Sequence, residues 1–239
     1  MCTVVVLVRP GHAWPVLLAA NRDEMVDRPW DPPGAHWPEQ LDVVAGRDRL
    51  GGGTWMGLNS AGVVAAVLNR RGSLGPAPGK RSRGGLPLLA LHYGTAAEAA
   101  ATLATVPAEE YRSFNMIVAD ATGVYFVRGL GERRTEPRPL GEGVHMVTSR
   151  DPNDLASRRT ARHLPRFRAA AYPDPDTGDW RAWREIIADR SGPEGSEINV
   201  PERNGFGTVC SALLAIGAAG RPVWLFAPGP PDLAEFGAV

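Results

Sequence analysis

Apolar and polar positions fall into short blocks whose period changes along the chain. TVVVLV (Thr3–Val8) is β-branched or leucine throughout, and after Pro10-Gly11 the segment Trp14–Ala20 is apolar again, so the two predict a hairpin. Both strands are apolar on both faces, as in a sheet covered on each side. A proline-rich excursion follows (Arg28–Pro38), then a short strand at Val43–Ala45. Next come GGTWMGLNS and AGVVAAVLN, with Asn59-Ser60-Ala61-Gly62 as the turn between two antiparallel strands.

The period then turns helical. Gly85–Tyr93 and Thr95–Thr105 predict helices, and Thr95 with Glu98 three residues later is a capping-box signature. FNMIVAD and GVYFVRG pair around Ala121-Thr122, and Val144–Thr148 supplies another strand. Asp154–Ala171 and Asp179–Arg190 predict two more helices, the second with Trp180, Trp183 and Ile187 as a buried stripe. GTVCSALLAI and PVWLFA close the chain as a hairpin around Gly220. Strand groups alternating with helix groups, with hairpins outnumbering crossovers, predict an α+β protein whose helices cover two packed antiparallel sheets.

Composition narrows the function classes. A chain of 239 residues, 44% of them apolar, is long enough for one sizeable core, and we expect a single domain over residues 1–239. Its 26 basic and 26 acidic residues balance, which argues against nucleic acid or an anionic membrane as partner and leaves a small-molecule substrate or hydrophobic ligand. Two cysteines are too few for a disulfide scaffold, and there is no apolar run long enough for a membrane span and no signal-peptide pattern, so we expect a cytoplasmic protein.

Candidate chemistry begins at Cys2. Initiator methionine is usually removed ahead of a small side chain, which leaves one residue carrying both a thiol and a free amine. The α-amine titrates at about 7.7–8.0, against about 8.5 for a thiol, so the terminus can act as its own general base near neutrality. The hairpin returns Asn21-Arg22-Asp23-Glu24, at the end of the second strand, to the neighbourhood of residue 2. Strand alternation puts Asn21 and Asp23 on one face and Arg22 and Glu24 on the other. A carboxylate there could hold the amine and orient the thiol. The bland readings are a buried cysteine ending a strand and a solvated turn with a local ion pair.

These blocks resemble the NRDE family, which includes the Transport and Golgi organisation protein 2 group. The resemblance rests on MCT at the start, LLAANRDE, AGRDRLGGGTWMGLNSAGVVAAVLNRRG, GKRSRG at Gly79–Gly84 and GTVCSALL near the end. It implies the N-terminal-nucleophile (Ntn) hydrolase fold, a four-layer αββα sandwich similar to the cholylglycine hydrolase and penicillin V acylase group. It also implies Cys2 as nucleophile, Asp23 as supporting aspartate and Asn69 as a backbone N–H donor to the oxyanion. Asn21, Arg22, Glu24 and Ser149 are the supporting or substrate-binding candidates. Three positions depart from the acylases: Ala20 and Val209 stand where arginines are expected, and Ser149 where a second oxyanion asparagine is expected.

The implied activity is hydrolysis of a carbon–nitrogen amide bond in a small acylated compound, with no cofactor. The rival is a non-catalytic haem or lipid carrier on the same scaffold, with Cys2 or His145 as the nominated haem ligands. The five histidines lack metal-site spacing, so no metal is expected. Gly51-Gly52-Gly53 lacks the rest of a phosphate loop and is taken as close backbone approach in a strand. Lys80, Arg81 and Arg83 form a basic loop expected to be a solvated face.

Overall fold

Strand β1 (Thr3–Val8) buries every one of its side chains, as its unbroken apolar run demands. It pairs with β2 (Val16–Met25) as the expected hairpin, in register from Val8↔Val16 to Thr3↔Asn21. In the computed structural model, which describes residues 2–218 and 222–239, β2 begins later than Trp14 and runs well past Ala20. Asn21–Glu24 is therefore strand, not a solvated turn. The reason is β11 (Phe206–Ile216), which pairs with β2 along its whole length and gives the polar residues ladder partners up to Met25↔Phe206.

The contacts divide the chain into two units, each with its own sheet: residues up to Arg28 together with Glu142–Val239, and Pro29–Gly141. In the first, with β10 (Gly143–Val147), β12 (Pro222–Ala227) and β13 (Gly237–Ala238), the strand order is β10-β1-β2-β11-β12-β13. In the second, β3 (Trp30–Gly34), β4 (Val43–Asp48), β5 (Met56–Asn59), β6 (Val64–Asn69), β7 (Phe114–Asp120), β8 (Gly123–Gly129) and β9 (Glu136–Leu140) form a meander in sequence order. Every strand pairing in both sheets is antiparallel, as the hairpins predicted. Strands β3 and β9 were not expected; both are edges, where prolines such as Pro32 and Pro139 forfeit no ladder bond the sheet needs.

Each sheet has helices on one face. In the second unit α1 (Gly85–Ala90) and α2 (Ala96–Leu103) bury Leu86, Ala90, Ala99 and Leu103 against Ala45, Ala65, Met116 and Val118. The capping signature at α2 is real: Thr95 Oγ1 accepts from the Glu98 N–H at 3.2 Å and donates to the Glu98 carboxylate at 2.8 Å, while Asp120 takes the Ala96 N–H at 2.7 Å. In the first unit α3 (Arg158–Ala169) and α4 (Arg181–Ile187) pack Leu164, Phe167, Trp180, Trp183 and Ile187 on Val5, Leu7, Leu17, Ala19 and Leu213. The tryptophan stripe is core. Helix α3 starts later than Asp154 because that carboxylate accepts the Ala156 N–H at 2.8 Å, an Asx turn that competes with helix, and Ser157 then caps the first turn.

Gly51–Gly53 lies in a turn after β4, not in a strand: Asp48 Oδ1 accepts from Leu50 and Gly51 N–H at 3.0 and 2.8 Å. The close approach itself is present, since a Cβ on Gly53 would stand 2.3 Å from the Gly84 carbonyl carbon. The turn expected at Gly220 lies outside the described residues. Among the described residues no helix is long and apolar enough to cross a membrane.

Candidate active site

The polar residues of the first unit collect where β1 begins and β2 ends, and alternation sorts them between the faces of that sheet. Thr3 is the register partner of Asn21, and these two with Asp23 turn toward α3 and α4. Arg22 faces the other way, opposite Cys210 on β11. Cys2, one residue before Thr3, belongs to this second face.

A β-bulge makes the arrangement possible. The β2–β11 register steps from Asp23↔Thr208 to Arg22↔Cys210, leaving Val209 as the extra residue. Thr208 and Ser211 are three apart and would otherwise point to opposite faces; with the bulge both turn to the helix side. Thr208 Oγ1 donates to Asp23 Oδ1 and Ser211 Oγ to Asn21 Oδ1, each at 2.7 Å. The position where the acylases' arginine was expected thus holds the bulge residue.

Asp23 is the centre of the cluster. Its side chain has 0% exposure, and Oδ2 accepts from Arg159 Nη1 of α3 at 2.8 Å, a pair whose arginine is itself only 6% exposed. The same Nη1 lies 2.8 Å from Thr3 Oγ1 as donor, and Thr208 Oγ1 in turn accepts the Val200 N–H at 2.8 Å. Asn21 is a brace: its Nδ2 donates to the Ile187 and Ile198 carbonyls at 2.9 Å, which ties β2 to the end of α4.

Cys2 is half-buried, and its thiol donates to the Asp23 carbonyl at 3.7 Å. Burial pushes the thiol's pKa up and the Asp23 charge adds to this, against smaller opposite pulls from that hydrogen bond and from Arg22. Cys210, fully enclosed, is pushed up to about 12 by burial. Both thiols are protonated at neutrality, and of the two residues Cys2 is the less buried.

Glu24 forms the local ion pair that was the bland reading of the tetrad, with Arg28 Nε at 3.8 Å. Ser149 is buried two residues past the end of β10, the strand that pairs with β1. His145 is a strand histidine whose Nδ1 accepts from Asn153 Nδ2 at 3.0 Å. Asn69 belongs to the second unit, as the half-buried last residue of β6, paired with Phe114. In the loop after it, Arg83 donates to the carbonyls of Ser73 and Ser113 and Arg81 pairs with Glu110 at 2.8 Å, while Arg112, just before β7, donates to the carbonyls of Gly72 and Leu74. Lys80 and Arg81 are exposed, as the solvated-face reading expected, while Arg83 is half-buried and ties the loop together.

The structure thus gathers Cys2, Asn21, Arg22, Asp23, Glu24 and Ser149 in one unit and sets Asn69 in the other. Sequence reasoning missed Thr3, Thr208 and above all Arg159. A signal existed: Arg159 stands on the buried stripe of α3 with His163 and Phe167, an odd place for a cation. Among the described residues no group of three or more His, Cys, Asp or Glu could hold a metal.

Solved structures with the same fold define the class. A Caenorhabditis elegans N-acylethanolamine-hydrolyzing acid amidase ortholog superposes with a TM-score of 0.61 at 15% identity, covering 97% of this chain and 94% of that one. Penicillin V acylase from Agrobacterium tumefaciens gives 0.61 at 17% identity, covering 95% and 83%. The fold is that of the Ntn hydrolases, α+β with two antiparallel sheets, as the resemblance implied. The chain belongs to the Transport and Golgi organisation 2 family, whose sequence pattern matches residues 1–224. The Transport and Golgi organization protein 2 homolog of Bos taurus is 32% identical over 148 residues, 58% of this chain and 51% of the relative. The chain spans about half the length of the curated relatives it matches.

Proposed function

We propose that this protein is an N-terminal-cysteine amidohydrolase acting on a small acylated compound. The observation that carries the reading is the thiol of the half-buried Cys2, held against the Asp23 carbonyl at the end of paired strands in an Ntn fold. Asp23 is itself fixed by Arg159 and Thr208. Once Met1 is removed, the freed amine takes the thiol proton and Sγ attacks the amide carbonyl. The tetrahedral oxyanion is held by the Ser149 hydroxyl, in place of the absent asparagine. Collapse breaks the C–N bond, the protonated amine of Cys2 hands its proton to the leaving nitrogen, and water then hydrolyses the thioester with the same amine as base. Asp23 orients the terminus, and Arg22 offsets the negative charge on the thiol face. The names of the two structural neighbours, an acid amidase that hydrolyses N-acylethanolamines and a penicillin V acylase, support the reaction class.

The raised thiol pKa sets the pH dependence. While Met1 remains, alkylation of Cys2 should stay slow at neutral pH and rise only above the ordinary thiol range; with Met1 gone, the onset should move toward neutrality. Intact-mass measurement before and after brief alkylation, with the adduct mapped by digestion, tests this directly. A Cys2 that labels no faster than Cys210 in the processed protein sinks the reading. Cys2→Ala should abolish both the acyl adduct and amide turnover.

A further inference from the structure

We infer that Arg159 is the positioning residue of this site, a single guanidinium that fixes the backbone on both sides of the Cys2 thiol. The inference rests on the reading of Cys2 as the nucleophile. Nη1 of Arg159 donates to Thr3 Oγ1 and to Asp23 Oδ2, both at 2.8 Å. Thr3 is the next residue along the chain from Cys2, and the Asp23 carbonyl is the acceptor of the Cys2 thiol. The start of β1 and the end of β2 are thereby clamped to one point on α3. A shift of either would move the thiol relative to a bound carbonyl.

The placement of Arg159 is hard to explain by the helix's own needs. It is the second residue of α3, where the helix dipole favours an acid, and the first turn contains none. It is also buried, on a stripe otherwise suited to apolar contact. What holds it there is the far side of the clamp. Ser157 caps the helix by accepting the Thr160 N–H at 3.2 Å and is reached by the Thr148 hydroxyl at 3.2 Å, just past β10. The helix start is therefore pinned to the edge strand beside β1, and Arg159 spans the short gap from there to Thr3 and Asp23.

The test is the rate of Cys2 alkylation across pH in the Met1-processed protein, read beside Cys210 as an internal reporter of opening. Thr3→Val removes one arm of the clamp at nearly constant shape and leaves the Asp23 pair intact. It should slow Cys2 labelling by about tenfold, since small misplacements of a reacting group are costly, while Cys210 stays protected; Thr3→Ser should restore the rate. Arg159→Met, by unmasking the Asp23 charge, should also move the onset of labelling to higher pH, and Arg159→Lys should move it less. Wild-type rates and onset in Thr3→Val and Arg159→Met overturn the inference, as does slowing of Cys2 accompanied by new labelling of Cys210, which marks a purely structural loss. If the wild-type Cys2 is itself inert, the amidohydrolase reading fails and this inference fails with it.

Discussion

Asp23 in the first unit and Asp31 in the second are each held by arginine, in opposite ways. Asp31 on β3 has much the richer pairing: Arg47 Nε and Nη2 each reach Oδ2 at 2.7 Å, and Arg49 Nε reaches Oδ1 at 2.7 Å with its Nη2 closer still. Asp23 takes one arginine nitrogen and one hydroxyl in the contacts described above. Yet Arg47 and Arg49 are 41% and 57% exposed, so water stands ready to replace Asp31 at either. Asp23 and Arg159 have no such substitute. Counting bonds ranks the two sites one way; asking what replaces a lost bond ranks them the other.

The widest gap between them should appear on Asp23→Asn. It leaves the buried Arg159 charge without its counter-charge and should cost about 3–5 kcal/mol in urea unfolding. Adding Arg159→Met should recover part of that loss, because a buried pair replaced on both sides costs less than one broken. A single-variant loss below about 1 kcal/mol, the range of exposed pairs, would put Asp23 in the same class as Asp31.

Thr208→Val probes the hydroxyl half of the same cluster. It strips one donor from a buried carboxylate and one acceptor from the Val200 N–H. A loss of about 2–3 kcal/mol is expected, near the upper range for bonds to charged groups. Deleting Val209 should do worse than this, because it turns either Thr208 or Ser211 to the wrong face.

His163 extends the contrast to pH. It is buried on α3, with Nε2 donating to the Ser196 carbonyl at 2.8 Å and Nδ1 accepting from Arg166 at 3.0 Å. Burial first, and the Arg166 and Arg162 charges after it, lower its pKa from 6.5 to about 4, despite the opposing Ser196 bond and Asp189 charge. The unfolded chain therefore takes up this proton before the folded one does. The stability is present above pH 6.5, falls as pH drops toward about 4, and changes no further on this account below that. Allowing for screening through the partly exposed Arg166, about 2 kcal/mol should be lost over that window. His163→Gln should flatten the slope of Tm against pH between those values.

What could be read from the sequence followed from local physics. The β1–β2 hairpin, the Asn59–Gly62 turn, the Thr95 cap and the Trp180–Trp183–Ile187 stripe all depend on residues a few positions apart, where period and turn chemistry are visible. Strands β3 and β9 were hidden because prolines mark loops in any local pattern and are tolerated only through being edges. Arg159 lies 136 residues from Asp23, and no spacing rule connects them. The Val209 bulge is a two-against-one pairing across strands, which leaves no trace in one strand alone. The return of Asp23 toward Cys2 followed from the hairpin, whereas the acceptor of the thiol is the Asp23 carbonyl and not its carboxylate, a distinction that depends on how the two strand ends meet.

The smallest effect should come from Asp31→Asn, the site with the two-arginine pairing. The two arginines pull its pKa down to about 2, Arg49 most strongly. With the folded value depressed, whatever the pairing contributes is present above 3.8 and lost as pH falls toward about 2. At neutral pH the contribution should be screened nearly to nothing, because each guanidinium trades a carboxylate for water at little loss. Tm of Asp31→Asn should match wild type within scatter at ordinary ionic strength, and any small difference seen at low salt should vanish as salt is added. A salt-independent drop comparable to that of Asp23→Asn would mean that Arg47 and Arg49 hold Asp31 where water cannot follow, and that exposure of the partners is the wrong measure by which to tell the two aspartates apart.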